Sequence, residues 1–305
     1  MDIPTESNLP AVWVPKPWVE LQRGEGVWVD DISDAAYFQL PLASRSRLEV
    51  LRESPPLYWA RFLAEPEDRI PDEDTKALRV GRYTHKAVLE VAQWEGGYTR
   101  EPAWEFDGRT RDGKAERAAW KAENAGLVVV KADEYDLAMA MYRAIARGDT
   151  PTSERARNLL IGADATERVL VWRDKVTGVL CRARLDAILY GVCISDLKTA
   201  DDVGPDAFGW AAGRRGYARQ AAMYIDGVAA VTGEVLRFAD IAVHKSPTHE
   251  VAIYEFDEYA LEAGRRQYRT LLAELDRRMT DGDWLADVER GPQLLSLPGQ
   301  FLDGL

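Results

Sequence analysis

An α/β fold, with helices packed on a central mixed β-sheet and an extension ahead of it, is what this 305-residue sequence predicts. Three observations carry the prediction. Apolar residues recur at helical spacing through much of the first half of the chain; a block of closely spaced strand-like runs follows; and helices, a hairpin and a long amphipathic helix come after them. With 46% hydrophobic and 30% charged residues, the composition is that of an ordinary globular protein, long enough to bury a sizeable core.

The elements follow in order. Residues 1–42 mix Trp, Val and Pro with turn signals ("PKPW", "RGEG") and predict a β-rich extension or arm, leaving 43–305 as the main domain. From "SRSRLEVLRESPPLYWARFL" the period turns helical, with Leu48 and Leu51 in register before the Pro55-Pro56 break and Tyr58, Trp59 and Phe62 after it. "DTKALRVGRYTHKAVLEVAQW" predicts a second helix capped by Asp74, and the Gly-, Arg- and Asp-rich stretch 96–113 a loop. Helices are expected over 114–125, 133–147 and "TSERARNLL", then strands at "ATERVLVWRD", "GVLCRARLDAIL" and "GVCISDLKTA". Two helices broken near Gly213 to Gly216 come next, then a hairpin turning at "KSPT" and the long helix "DEYALEAGRRQYRTLLAELDRRM".

Charge and cysteine content narrow the function. A formal charge of -12 argues against coating nucleic acid by bulk attraction, so any polyanion must be gripped by local basic clusters. The two cysteines, Cys181 and Cys193, exclude a disulfide framework and a four-cysteine metal or iron-sulfur site within one chain; both sit in apolar runs as small hydrophobes. The start "MDIPTESNLP" has no basic segment followed by an apolar stretch, and no window is long and apolar enough for a membrane span, so a cytoplasmic location is expected.

The strand "CISDLKTA" places Asp196 and Lys198 one residue apart in an apolar run, where unpaired charge is costly. Strand alternation puts these two on one face; in the preceding strand it groups Arg182, Arg184, Asp186 and Ile188 in front of Cys181, Ala183, Leu185 and Ala187. A two-residue turn at Tyr190-Gly191 would leave Asp186 and Asp196 on opposite faces. An odd loop, or a bulge with Gly191 at positive φ, brings them together, and that geometry is expected. Two such carboxylates repel unless a proton or cation lies between them, and oxygen donors of this hardness suit Mg²⁺ or Mn²⁺. Lys198 beside the ion could orient water and offset charge on a phosphate, a combination suited to metal-assisted phosphodiester hydrolysis. A plain ion pair, Asp186 with Lys198 or Asp196 with Arg184, accounts equally well for the spacing.

Asp186 followed ten residues later by "DLK" resembles the signature of the PD-(D/E)XK nuclease superfamily. Upstream "GRYTH" is similar to the Gly-x-x-x-His helix of its RecB-like branch, and downstream "YARQAAMY" to that branch's Gln-x-x-x-Tyr motif. From about residue 43 to the long final helix the order resembles the RecE-like phage and prophage exonucleases. The resemblance implies Asp186, Asp196, His85 and the carbonyl of Leu197 around one or two Mg²⁺ or Mn²⁺ ions, Lys198 as the catalytic lysine, and Glu167 as a further acid. It gives Gln220 and Tyr224, four apart on one helical face, roles at the site. Arg214, Arg215 and Arg219 are the candidate phosphate grip, with Arg184 and Lys245 as further DNA contacts. His244 and His249 flank a turn without a third His or a Cys, and read as turn residues.

The activity implied is exonucleolytic digestion of linear double-stranded DNA from its ends, 5′ to 3′, leaving 3′ single strands for a recombination or single-strand annealing partner, by a ring-shaped homo-oligomer. Two rival readings remain: an endonuclease of the same fold, and a non-catalytic scaffold that binds DNA ends.

Overall fold

The computed structural model describes residues 15–285 together with 291 and 294. The first 14 residues of the expected arm and the rest of the chain beyond 285 lie outside the described residues. The elements run α1 (Lys16–Val19), β1 (Gly26–Val29), α2 (Asp34–Gln39), α3 (Arg45–Glu53), α4 (Pro55–Phe62), α5 (Lys76–Leu89) and α6 (Val91–Gly97). Next come β2 (Tyr98–Arg100), α7 (Arg111–Glu123), β3 (Val128–Val130), α8 (Ala132–Ala146) and α9 (Pro151–Leu160). The remainder comprises β4 (Ala165–Arg173), β5 (Leu180–Leu189), β6 (Cys193–Ala200), α10 (Pro205–Arg215), α11 (Tyr217–Thr232), β7 (Arg237–His244), β8 (Val251–Glu255) and α12 (Glu258–Asp281).

Six strands form one mixed sheet in the order β1-β4-β5-β6-β7-β8, all antiparallel except the β6–β7 pair, with the crossover between those two made by α10 and α11. The expected α/β architecture is thus present. One large core packs α3, α4, α11 and α12 against the sheet through Leu48, Tyr58, Leu170, Trp172, Ile225 and Leu272. A second, built on Val80, Met141, Leu160, Leu197 and Ile241, packs α5, α8 and α9 against it. The apolar residues of these helices fall on one side, and most of their N-termini carry side-chain caps: Ser44 accepts from Arg47 N, Ser54 from Leu57 N and Thr150 from Ser153 N, whereas α8 and α11 have none.

Several sequence expectations change in the assembled chain. Thr75, not Asp74, caps α5, and the Asp74 carboxylate instead pairs with Arg79 at 3.1 Å and Arg82 at 2.6 Å. The stretch expected to be a loop over 96–113 contains β2, which pairs in parallel with β3, and ends in the first turn of α7, where Thr110 is the cap. The segment expected as a β-rich arm holds one strand and two short helices within the described residues, and β1 joins the central sheet beside β4. Gly216, at φ +68°, closes α10 and opens α11, the break expected between Gly213 and Gly216. No helix of the described residues is long and apolar enough to cross a membrane.

Candidate active site

The β5–β6 connection spans Tyr190, Gly191 and Val192, an odd number, with Gly191 at φ +71° and Val192 N donating to Leu189 O at 3.0 Å. The register that follows sets Leu189 against Cys193, Ile188 against Ile194 and Ala187 against Ser195. One step further it would set Asp186 against Asp196, but the ladder opens there, and the Asp186 carboxylate accepts the Leu197 N–H at 2.7 Å. The odd loop therefore brings the two aspartates together, as expected.

Strict alternation along β5 does not survive. Ala183, Leu185 and Ile188 share the large core, whereas Ala187 lies in the second core with Leu197, so the side-chain sequence shifts by one at Asp186. The neighbouring ladder skips the same place: the register runs through Thr166–Ala187 and Arg168–Leu185 and omits Glu167 and Asp186. Glu167 adopts φ +50°, a left-handed conformation uncommon outside glycine. This local kink frees both acids from the pleat. No residue type marks this kink in advance, because Ile188 and Ala187 are both acceptable strand residues.

Helix α5 brings in His85, whose Nδ1–H donates to Gly81 O at 2.8 Å and whose Nε2 stands 3.0 Å from Asp186 Oδ2. A Cβ on Gly81 would meet Thr199 Oγ1 at 3.7 Å, an ordinary contact, so the space does not itself demand glycine there. Helix α11 brings in Gln220: its Nε2 donates to Asp196 Oδ1 at 2.6 Å and its Oε1 accepts from Lys198 Nζ at 2.9 Å. Lys198 also contacts Asp196 Oδ2 and lies over the Tyr217 ring, 4.4 Å from its centroid. Acid, amide and ammonium close a triangle.

Asp240 of β7, which sequence reasoning missed, lies beside Asp196 in the parallel register and 4.0 Å from Lys198. Its only sequence signal is an acid in mid-strand within "FADIAV". The electrostatics are those of surplus negative charge. Burial and the neighbouring Asp186 charge raise the Asp196 carboxyl, and burial, against the pull of Lys198, lifts Asp240 to about 7. Burial and then Asp186 lift Glu167 to about 7 as well. Burial alone would lower His85, but the charge and hydrogen bond of Asp186 carry it up to about 9, and Asp186 is held below its ordinary value in return. Burial would likewise lower Lys198, yet Asp196 and Asp240 raise it.

Other candidates fare differently. Glu167 reaches the edge of the site but its Oε2 is 3.1 Å from Arg184 Nε. Arg184 also pairs with Asp34 and lies over the Tyr37 and Phe38 rings, so its guanidinium is taken up inside the protein. Arg219, expected in the phosphate grip, is 9% exposed and holds Glu49 at 2.8 and 2.9 Å and Gln267 at 2.8 Å. It ties α11 to α3 and α12 and is not free for phosphate. Arg214 and Arg215 are exposed at the end of α10, where Arg214 lines a shallow groove with Trp210 and Arg215 contacts the Tyr217 hydroxyl at 3.3 Å. Lys245 pairs with Asp201 at 3.0 Å.

Tyr224 is half-buried and packs edge-on against Phe238. Of Leu197, the amide is engaged by Asp186 and the side chain by the second core. His244 and His249 are bound up in their turn: Ser246 N donates to His244 Nδ1, and His249 Nδ1 meets His244 O. A groove of about 660 Å³ adjoins Glu167 and Arg184, lined also by Asp34 and Glu90. No three His, Cys, Asp or Glu side chains form a ready cage for an ion among the described residues.

The fold is similar to a crystal structure of a candidate exonuclease from Eubacterium rectale, with a TM-score of 0.55 over 90% of this chain and 98% of that one, at 18% identity. No curated protein is significantly similar in sequence. The profile of the PDDEXK-like domain of unknown function (DUF3799) matches residues 44–289, more than half the chain and all of the residues that gather around Asp186 and Asp196. The chain therefore belongs to the DUF3799 family of PDDEXK-like domains.

Proposed function

We propose that this chain is a metal-dependent exodeoxyribonuclease that digests linear double-stranded DNA from its ends. The observation that carries the reading is the gathering of Asp186, Asp196 and Lys198 where β5 and β6 part, with Gln220 bridging acid and lysine. PDDEXK nucleases generally use divalent metals, and the cluster of buried carboxylates here fits one: Asp186, Asp196 and Asp240 outnumber the Lys198 ammonium, the Asp196 and Asp240 carboxyls are drawn up, and Asp186 draws His85 up beside it. Asp186 and Asp196 would hold Mg²⁺ or Mn²⁺, with His85 Nε2 as a further donor once deprotonated and the Leu197 carbonyl as the expected fourth. When bound, such an ion supplies Lewis-acid stabilisation of the phosphoryl group and an acidified water.

The chain's own residues do the rest. Gly81 O, by accepting from Nδ1, fixes the His85 tautomer and turns Nε2 to the site. Lys198 directs its ammonium at the scissile phosphate and offsets the charge that develops there. Gln220, bonded to both, holds Asp196 and Lys198 together, and Glu167 adds an acid at the rim. Arg214 and Arg215 are the phosphate contacts that remain exposed, and Lys245 would join them on leaving Asp201. Cleavage in the 5′ to 3′ direction, 3′ single strands passed to an annealing protein, and a homo-oligomeric ring belong to the same proposal; their support is the resemblance to RecE-like enzymes.

An end-labelled linear duplex, a nicked circle and a covalently closed circle, each with Mg²⁺ or with chelator, test the reading. The linear duplex is expected to be trimmed only with the ion present and the closed circle left intact. Cutting of closed circles would make the protein an endonuclease, and binding without trimming a scaffold. Lys198→Ala is expected to lower the rate by roughly 10²-fold or more while duplex binding persists; full activity would refute its role.

A further inference from the structure

Asp240 is 0% exposed, and neither carboxylate oxygen has a hydrogen-bond partner among the described residues. Its strand neighbours are Ala239 and Ile241, both fully buried, so nothing in the local packing calls for an acid. A buried, unpartnered carboxylate is among the more costly groups a core can carry, and a native fold retains one where it serves something. The nearest cation is Lys198 Nζ, at 4.0 Å, which is too far for a hydrogen bond.

Lys198 is at present seated elsewhere, on Asp196 Oδ2 and Gln220 Oε1. Asp196 is also one of the carboxylates that the proposed function assigns to the metal. Its Oδ1 is occupied by Gln220 Nε2, so Oδ2 is the oxygen that ammonium and metal would both need. Two cations on one oxygen repel, and the ammonium has to move when the metal arrives. Side by side in the parallel register, Asp196 and Asp240 point their carboxylates at Lys198 from adjacent strands. A shift of roughly 1 Å by the flexible lysine tip closes the Asp240 gap to charge-assisted hydrogen-bond length.

We propose that Asp240 is a positioning residue that receives the Lys198 ammonium when a divalent cation occupies Asp196, keeping the lysine in the site instead of competing for that carboxylate. The inference rests on the metal-binding reading of the site. Asp240 touches neither the substrate nor the ion; it acts through Lys198.

Binding of Mn²⁺ without DNA, followed by the electron paramagnetic resonance of the free ion, tests this apart from catalysis. Asp240→Asn, which leaves Lys198 seated on Asp196, is expected to weaken Mn²⁺ binding roughly tenfold. Lys198→Met, which removes the competitor, is expected to bind Mn²⁺ at least as tightly as the unaltered protein. The double variant D240N/K198M should regain that affinity, which also shows that the Asp240 change leaves the fold intact. D240N binding like the unaltered protein would overturn the proposal. So would a double variant as weak as D240N, since Asp240 would then be a ligand itself or a packing residue, and so would weakened binding in K198M. Failure of the unaltered protein to bind Mn²⁺ at all would be a different result, removing the metal reading and this inference with it.

Discussion

At the residue scale, the site is governed by more acid than base in a buried volume. His85, Asp240 and Glu167 all hold protons more tightly in the folded chain than their ordinary values of 6.5, 3.8 and 4.5 would allow. A group whose pKa is raised on folding contributes stability below its unfolded value and loses it as pH rises through the folded value. For Asp240 and Glu167 that loss runs up to about 7, and for His85 it runs from about 6.5 to about 9. The metal-free protein should therefore lose thermal stability steadily between about pH 6 and pH 9, where the carboxylates lowered by their arginines, such as Glu49, are already ionised. Mg²⁺ is expected to restore the high-pH melting temperature more than the low-pH one, because it supplies the charge the departing protons leave unbalanced. Thermal melts at several pH values, with chelator or with Mg²⁺, check this; a melting temperature that rises with pH in chelator would contradict it.

Among elements, the β5–β6 turn decides whether the acids meet. Its three residues give the parity that places Asp186 beside Asp196, and the kink at Glu167 and Asp186 then releases both acids from the ladder. Deleting Cys193 while the three-residue turn is kept sets Ile194 opposite Leu189, and this one-residue slip turns every following β6 side chain to the other face. Ile194 would leave the large core and Asp196 the site, so both nuclease activity and the cooperative melt should be lost. Gly191→Asn, by contrast, keeps the register and tolerates positive φ, at a cost under about 1 kcal/mol, with activity retained. Circular dichroism melts and the end-labelled duplex assay separate the two; an active deletion variant would overturn the parity argument. Helix α11 matters in the same way, because Arg219, held by Glu49 and Gln267, fixes the turn that carries Gln220.

On the scale of the whole molecule, a charge of -12 must be reconciled with a polyanionic substrate. Much of the arginine is spent internally: Arg184 on Glu167 and Asp34, Arg219 on Glu49, Arg265 and Arg269 on Asp226. Of the basic residues put forward as DNA contacts, Arg214 and Arg215 stay exposed and Lys245 is paired with Asp201, so at most three are available to release counterions from DNA at the site. Binding to duplex ends, measured in Ca²⁺ to suppress cleavage, should fall with salt at a log–log slope of only about -3. A slope near -10 would mean a broad basic face that these residues do not form. Weak phosphate attraction also fits an enzyme whose hold on DNA depends on encirclement by an oligomer, as the proposal has it.

Local periodicity marked the helices from α3 onward apart from the break that separates α6 from α5, the three central strands and the hairpin of β7 and β8, and local spacing required an odd loop or a bulge for Asp186 to meet Asp196, because each of these is written in residues close together in the chain. The same local spacing marked Lys198, and family resemblance added His85 and Gln220. Assembly decided the rest. Whether Arg184 and Arg219 faced solvent or were consumed in ion pairs depended on Asp34, Glu49 and Gln267, far away in sequence. That β1 would join the sheet, that β2 and β3 would pair, and that Asp240 would arrive beside Lys198 depended on which strands became neighbours. Side-chain order along a chain fixes periodicity and turn parity, whereas the partner of a buried charge is set by long-range packing that no short window of sequence contains.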